Sequence, residues 1–252
     1  MHLHGCFSLQ VVRVMQHCDT AAFMHDCTLS VMVTADPGDL QDTCREYPID
    51  IAFLVDGSDS ITRQEFDRIK EWILLTIDAF NPSSRQMPLH VDVIQYSEDS
   101  KIEVHQLISD GVAQIEDRVR AIEQMRSGTK TYTAIRFVDT NVVPNLREGS
   151  FKILITMTDG DASDDRDVEA INQARNDFNI MIAVGVGDKV DSEELRDFSS
   201  TDKIYNVDKF SALESIITNI VENICSGIHA IVQGKIDKKI YDSTSDNDLN
   251  FN

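Results

Sequence analysis

Basic side chains are scarce in this chain: 23 Lys and Arg stand against 43 Asp and Glu, a formal net charge of −20 with a pI near 4.5. Nonspecific nucleic-acid binding needs Lys and Arg against phosphate, so that class is excluded. The acidity serves solubility first and the attraction of cations second. No run of about eighteen apolar residues is present, so no direct membrane insertion is expected. Residues 1–44 offer only Phe7 to Met15 as a weakly apolar stretch, without an Ala-x-Ala cleavage site, and hence no convincing secretory signal. The expectation is a fragment of a larger extracellular protein or a truncated gene model. An Asn-x-Ser/Thr acceptor is lacking as well, because Asn81 is followed by Pro82.

Enzyme signatures are equally thin. There is no Gly-rich loop ending in Gly-Lys-Ser/Thr, and after Val184-Gly185-Val186-Gly187 the dinucleotide fingerprint fails at Val190, where its third glycine belongs. Asp159 to Asp165 starts like a calcium loop, yet position six is Asp164 rather than Gly and position twelve is Ala170, so the bidentate ligand is missing. No Gly-Asp-Ser-Gly protease motif occurs. An aspartyl-phosphate layout needs a second Asp where Ser58 stands. His2, His4, His17, His25, His90, His105 and His229 lack metal-ligand spacing and read as structural or solvent-facing. No catalytic activity is expected.

What is present is a 252-residue chain with 42% hydrophobic content, enough for one well-cored domain with flanks. Short β-branched runs alternate with amphipathic stretches from Pro48 to Val232, the mark of parallel strands joined by covering helices. Strands are expected at Ile49 to Val55, Leu89 to Tyr96, Ile102 to His105, Phe151 to Thr158, Ile180 to Val186 and Lys203 to Val207. Phe53-Leu54-Val55, Ile153-Leu154-Ile155 and Ile180 to Val184 are continuously apolar, as central strands buried on both faces are. Helical spacing marks Phe66, Ile69, Ile73, Leu74 and Ile77, then Val112, Ile115, Val119 and Ile122, then Leu213, Ile216, Ile217, Ile220 and Ile224. The link from Tyr96 to Ile102 is too short for a crossover, so that pair is an antiparallel hairpin at the edge. The fold class is therefore α/β, an open, mostly parallel, doubly wound sheet with one antiparallel edge strand.

In such sheets ligands bind beyond the carboxyl ends of the strands. Asp56-Gly57-Ser58-Asp59-Ser60 follows the first strand, and Thr158-Asp159-Gly160-Asp161 follows a later one. A third, hydroxyl-rich loop, Ser127 to Thr133, opens another helix. Their carboxylates and hydroxyls are hard oxygen donors, suited to Mg²⁺ or Mn²⁺. Taken alone, the first turn is equally an ordinary helix cap.

The order Asp-x-Ser-x-Ser, then Thr, then Thr-Asp-Gly resembles the metal-ion-dependent adhesion site of von Willebrand factor A domains, over roughly Cys44 to Ile231. Ile49 to Ser58, Gly128 to Ile135 and Tyr205 to Leu213 look most like inserted domains of integrin α subunits. The resemblance implies that Ser58, Ser60 and Thr129 touch the metal directly. It implies that Asp56 and Asp159 hold the metal directly or through water. Thr131 and Thr133 stay open as alternatives to Thr129. Asp59, where many relatives carry Gly, is expected to face solvent.

The implied function is extracellular or cell-surface adhesion. An extracellular protein ligand presents Asp or Glu to complete the coordination, with an integrin β subunit as a possible second partner. In inserted domains the last helix, here Phe210 to Ile224, shifts on binding. Past it those domains carry Ile-Glu-Gly, whereas this chain reads Val232-Gln233-Gly234, and a neutral amide cannot act as a carboxylate relay. The alternative is a secreted matrix- or complement-type A-domain protein without an integrin partner.

Five cysteines, Cys6, Cys18, Cys27, Cys44 and Cys225, lie outside the expected sheet. Domain ends often lie close together, so Cys44 and Cys225 are candidates for a bridge, with two free thiols as the other reading. The organisation expected is a Cys-containing flank over 1–44, an A domain over 45–232 and a polar tail or linker over 233–252.

Overall fold

The computed structural model describes residues 14–18, 27–31, 44–80, 85–109, 111–200 and 203–245, with the backbone alone for 14–18, 27–31 and 235–245. Two compact units divide the chain, Met1–Asp39 and Leu40–Asn252. In the first, β1 (Val14–Cys18) and β2 (Cys27–Val31) pair antiparallel, with Val14 opposite Val31 and Cys18 opposite Cys27.

The second unit holds a six-stranded sheet of β3 (Ile49–Asp56), β4 (Leu89–Tyr96), β5 (Ser100–Ile108), β6 (Phe151–Thr158), β7 (Ile180–Val186) and β8 (Ile204–Val207). Their spatial order is β5-β4-β3-β6-β7-β8. Only the β4–β5 pair is antiparallel, with a register shift at Val93/Ile94. This is the mixed, doubly wound sheet expected from the apolar runs, and every residue of β3, β4 and β7 is buried.

Alternation along β3 sorts the core into two layers. Ile49, Ile51, Phe53 and Val55 face α1 (Arg63–Ala79) and α6 (Ile217–Ser245), where Phe53 meets Trp72 edge to face at 5.9 Å. Ala52 and Leu54 face α3 (Thr131–Asn141), α4 (Val168–Asp177) and α5 (Ser192–Asp197). Each fully buried Ile or Leu contributes about 2 kcal/mol of transfer free energy, so the in-out alternation fixes strand register.

Helix α1 starts where its sequence provides a reciprocal cap: Thr62 Oγ1 accepts from Glu65 N–H, and Glu65 accepts from Thr62 N–H at 2.9 Å. The stripe from Val112 to Ile122 is not one helix. It forms a 3₁₀ turn (Val112–Gln114) and the short α2 (Glu116–Arg120), because Ile115, at φ −121°, leaves helical geometry to reach the core.

At the far end α6 continues through Ser245, beyond the point where a polar linker was expected to begin. The Phe210–Gly234 segment is also long and apolar enough to span a membrane by length and composition, although polar residues interrupt its apolar run. Here Ile220, Ile224 and Ile228 are spent on the sheet core, and Cys225 is bonded to Cys44 across 181 residues. The bridge between domain ends therefore forms.

Candidate metal centre

Strand β3 ends in Asp56 and β6 in Thr158, neighbouring strands whose carboxyl ends open on the same edge of the sheet. Gly57 then lets the chain pass over Gln95: a Cβ there would sit 2.1 Å from Gln95 Oε1. Gln95 in turn accepts from Met125 N–H at 2.7 Å and donates to the Glu123 carbonyl at 2.9 Å. The third loop is thus anchored beneath the first turn, and sequence reasoning gave Gly57 and Gln95 no such role.

Backbone bonds tie the three loops together. Asp59 N–H donates to Ser127 O at 2.9 Å, Arg126 N–H to Gly57 O at 2.8 Å, and Ser163 N–H to Thr129 O at 2.7 Å. The amide of Gln124 reaches the carbonyls of Ser58 and Ile61 at 2.9 and 2.7 Å.

On this frame the side-chain oxygens run in a line. Asp56 Oδ1 accepts from Ser58 N–H at 2.8 Å, Ser58 Oγ and Ser60 Oγ lie 2.8 Å apart, and Ser60 Oγ donates to Asp159 Oδ1 at 2.7 Å. Four of the five expected ligands, Asp56, Ser58, Ser60 and Asp159, are therefore joined across 99 positions of sequence.

Thr129 is partly exposed and fixed through its backbone to Ser163. The other two threonines are committed elsewhere: Thr131 is buried with Oγ1 at 3.4 Å from Tyr96 Oη, and Thr133 Oγ1 donates to Asp164 at 2.7 Å. Asp59 faces solvent beside Arg126 at 3.4 Å. Thr158, which sequence reasoning left without a task, places Oγ1 3.0 Å from both Asp56 Oδ2 and the Gly160 carbonyl.

Burial pushes the Asp56 carboxyl from 3.8 up to about 6. The bonds from Ser58 and Thr158 oppose the rise, and nearby Asp159 adds to it. Burial also raises Asp159, with Ser60 opposing and Glu65 contributing. Two adjacent carboxylates, one fully buried, neither in an ion pair among the described residues and only Asp159 eased from a distance by Lys189, are costly in isolation and satisfied by a cation. With only oxygen donors converging, the residues present fit a hard divalent ion.

A second polar cluster lies on the same sheet face, away from these loops. His90, Asp92 and His105 bring ligand atoms within 4.8 Å of one another. The β4–β5 register sets Asp92 opposite His105, so side chains 13 residues apart meet without any local motif. Counting back from the hairpin turn would have set Asp92 opposite Val104, and the register shift at Val93/Ile94 is what brings His105 to it.

The profile of the von Willebrand factor type A domain matches residues 50–219. Collagen alpha-1(XXI) chain of Xenopus laevis is 28% identical over 77% of this chain, and Matrilin-4 of Mus musculus 30% identical over 73%. The alignments span 20% and 30% of those proteins, so this chain corresponds to a small part of each. Neither relative is an integrin subunit. Among solved structures, proximal thread matrix protein 1 from the mussel byssus, with a zinc-occupied MIDAS motif, superimposes with TM-score 0.64 at 19% identity, covering 71% of this chain and 48% of that one. A profile match over about two thirds of its length, carried on this sheet, makes the chain a member of the von Willebrand factor type A domain family.

Proposed function

We propose that this is a non-catalytic, extracellular, matrix-type A domain. It binds a carboxylate of a partner protein through a divalent cation held by Asp56, Ser58, Ser60, Thr129 and Asp159. The observation that carries this reading is the continuous bonded line from Asp56 through Ser58 and Ser60 to Asp159. When bound, a dication supplies the positive charge that an incoming Asp or Glu side chain needs at this acidic rim. Ser58, Ser60 and Thr129 contribute neutral oxygens, so the protein leaves part of that charge unbalanced. Asp56, held by Ser58 N–H and Thr158, fixes the position from below.

Two features favour the matrix reading over an integrin one. Gln233 supplies an amide where an integrin relay needs a carboxylate, and the Cys44–Cys225 bridge ties the middle of the last helix to the residues before β3. Displacing that helix would drag Cys44 with it. The disulfide and the collagen and matrilin relatives support an oxidising, extracellular setting. Mg²⁺ or Mn²⁺ suits the donors, and the zinc-occupied motif of the mussel protein supports tolerance of other dications at this type of site.

The test is a thermal melt against Mg²⁺ and Mn²⁺ for the wild type and Asp159→Ala. The wild-type midpoint should climb with cation concentration by mass action, reaching about 2.7 kcal/mol of stabilisation at a hundredfold excess over Kd. A cation-insensitive wild type, or an equal response in Asp159→Ala, would defeat the assignment.

A further inference from the structure

We propose that His90, Asp92 and His105 form a second cation site, for a nitrogen-preferring transition metal such as Zn²⁺, at the end of the sheet opposite the oxygen-lined crest. His90 and Asp92 are i and i+2 on β4 and so project from one face, and Asp92 is the cross-strand partner of His105 on β5. His105 Nδ1 lies 2.6 Å from Asp92 Oδ1, and the two imidazoles pack edge to face at 4.6 Å.

The cluster is incompletely satisfied. His90 is 6% exposed and Asp92 is fully buried, yet His90 Nδ1 and Asp92 Oδ2 have no hydrogen-bond partner, and the two atoms face each other at 3.5 Å. Nearby Arg147 does not supply the missing charge. It is engaged with Asp50, through N–H at 2.6 Å and Nε at 2.7 Å, and with the Ile49 carbonyl. Among the described residues, Asp92 therefore keeps a buried carboxylate whose neighbours of opposite tendency are two imidazoles.

Two imidazole nitrogens with one carboxylate are the donors that Zn²⁺ and related ions prefer over Mg²⁺. Donors around tetrahedral zinc sit about 3.3 Å apart, given bonds of about 2.0 Å, and the 3.5 Å gap between His90 and Asp92 matches that edge. The side chain of His105 is 51% exposed, so its ring can turn to close the shell and solvent can reach the remaining position. The site is separate from the crest. Ala52 is the β3 partner of Asp92, four residues from Asp56, or roughly 13 Å along the strand.

The experiment is a Zn²⁺ titration of the full chain by calorimetry under saturating Mg²⁺, with Asp159→Ala to disable the crest and His105→Gln to disable the second site. His105→Gln changes a half-exposed ring and keeps the fold testable where His90 variants risk unfolding. Asp159→Ala should keep the zinc event at unchanged affinity. His105→Gln should weaken it by about tenfold or more, and Asp92→Asn should do the same. X-ray absorption of the zinc-loaded Asp159→Ala protein should show two imidazoles. Wild-type zinc binding in His105→Gln, or a zinc event that disappears with Asp159→Ala, overturns the proposal. In the first case His105 is no ligand of the ion, and in the second the ion belongs to the crest.

Discussion

Replacing Asp56 by Asn should stabilise the cation-free protein while abolishing its response to cations. Burial pushes this carboxyl from 3.8 up to about 6, so ionising it costs the folded state about 3 kcal/mol relative to the unfolded chain. Because the folded pKa is the higher one, the folded state binds the proton more tightly. The wild type therefore loses this contribution as pH rises from about 4 to about 6, and the loss is complete at neutrality.

Asn has the same shape without the charge. Its carbonyl can still accept from Ser58 N–H, and its amide can donate to Thr158 Oγ1, whose own proton then goes to the Gly160 carbonyl 3.0 Å away. Few bonds are lost, so most of the electrostatic gain should survive, about 1–3 kcal/mol after relaxation around the site. For a chain of this size that is a rise in melting midpoint of about 2–12 °C. The assay is denaturation in EDTA from about pH 4 to 8, followed by the same series in millimolar Mg²⁺. The curves of variant and wild type should coincide at the acid end and separate toward neutrality, with Mg²⁺ closing the gap from the wild-type side alone. Equal stabilities in EDTA at every pH, or a variant that still responds to Mg²⁺, would refute the reasoning.

Cation affinity measured by calorimetry should fall about tenfold per pH unit below about pH 6, since the ion must displace the Asp56 proton. Gly57→Ala should cost about 2–4 kcal/mol in urea denaturation and weaken cation binding with it, because the new Cβ collides with Gln95 and releases the Glu123–Met125 loop. Reducing the Cys44–Cys225 bridge opens a loop of 181 residues, and the chain-entropy relation puts the loss near about 5 kcal/mol. Paired urea curves with and without a phosphine reductant measure it, and the cation response should persist in the reduced protein at low denaturant.

Much of the fold is legible in the sequence because burial imposes simple periods. The all-apolar runs of β3, β6 and β7 mark central strands, and the stripe Phe66, Ile69, Ile73, Leu74 and Ile77 marks α1. The stripe from Val112 to Ile122 misleads because its side chains obey helical spacing while Ile115 breaks the backbone helix. Asp56, Ser58 and Ser60 are legible as a turn rich in oxygen donors, but their union with Asp159 depends on β3 lying beside β6, a pairing that no local pattern states. Gln95 and Thr158 escaped notice for the same reason. Their roles lie in what they hold across the sheet, and nothing adjacent in sequence records it. The His90, Asp92 and His105 grouping is the extreme case, since it exists only through a hairpin register shifted by a bulge.

The buried Asp56 carboxylate and the Cys44–Cys225 bridge are linked through the stability of the fold. A carboxylate kept fully buried at the crest withholds about 3 kcal/mol from the cation-free fold at neutral pH, a large share of the margin on which a single domain rests. The bridge between Cys44 and Cys225 offsets this from the other direction, since it acts on the entropy of the unfolded chain and need not touch the site at all. A domain stabilised in that way can hold an incompletely neutralised site ready for an ion without unfolding when the ion leaves. The consequence is an ordering of variants: loss of the disulfide should cost the same free energy in EDTA and in Mg²⁺ but leave the smaller residual stability in EDTA, and Asp56→Asn should partly rescue the reduced protein, because it removes the cost that the bridge was balancing.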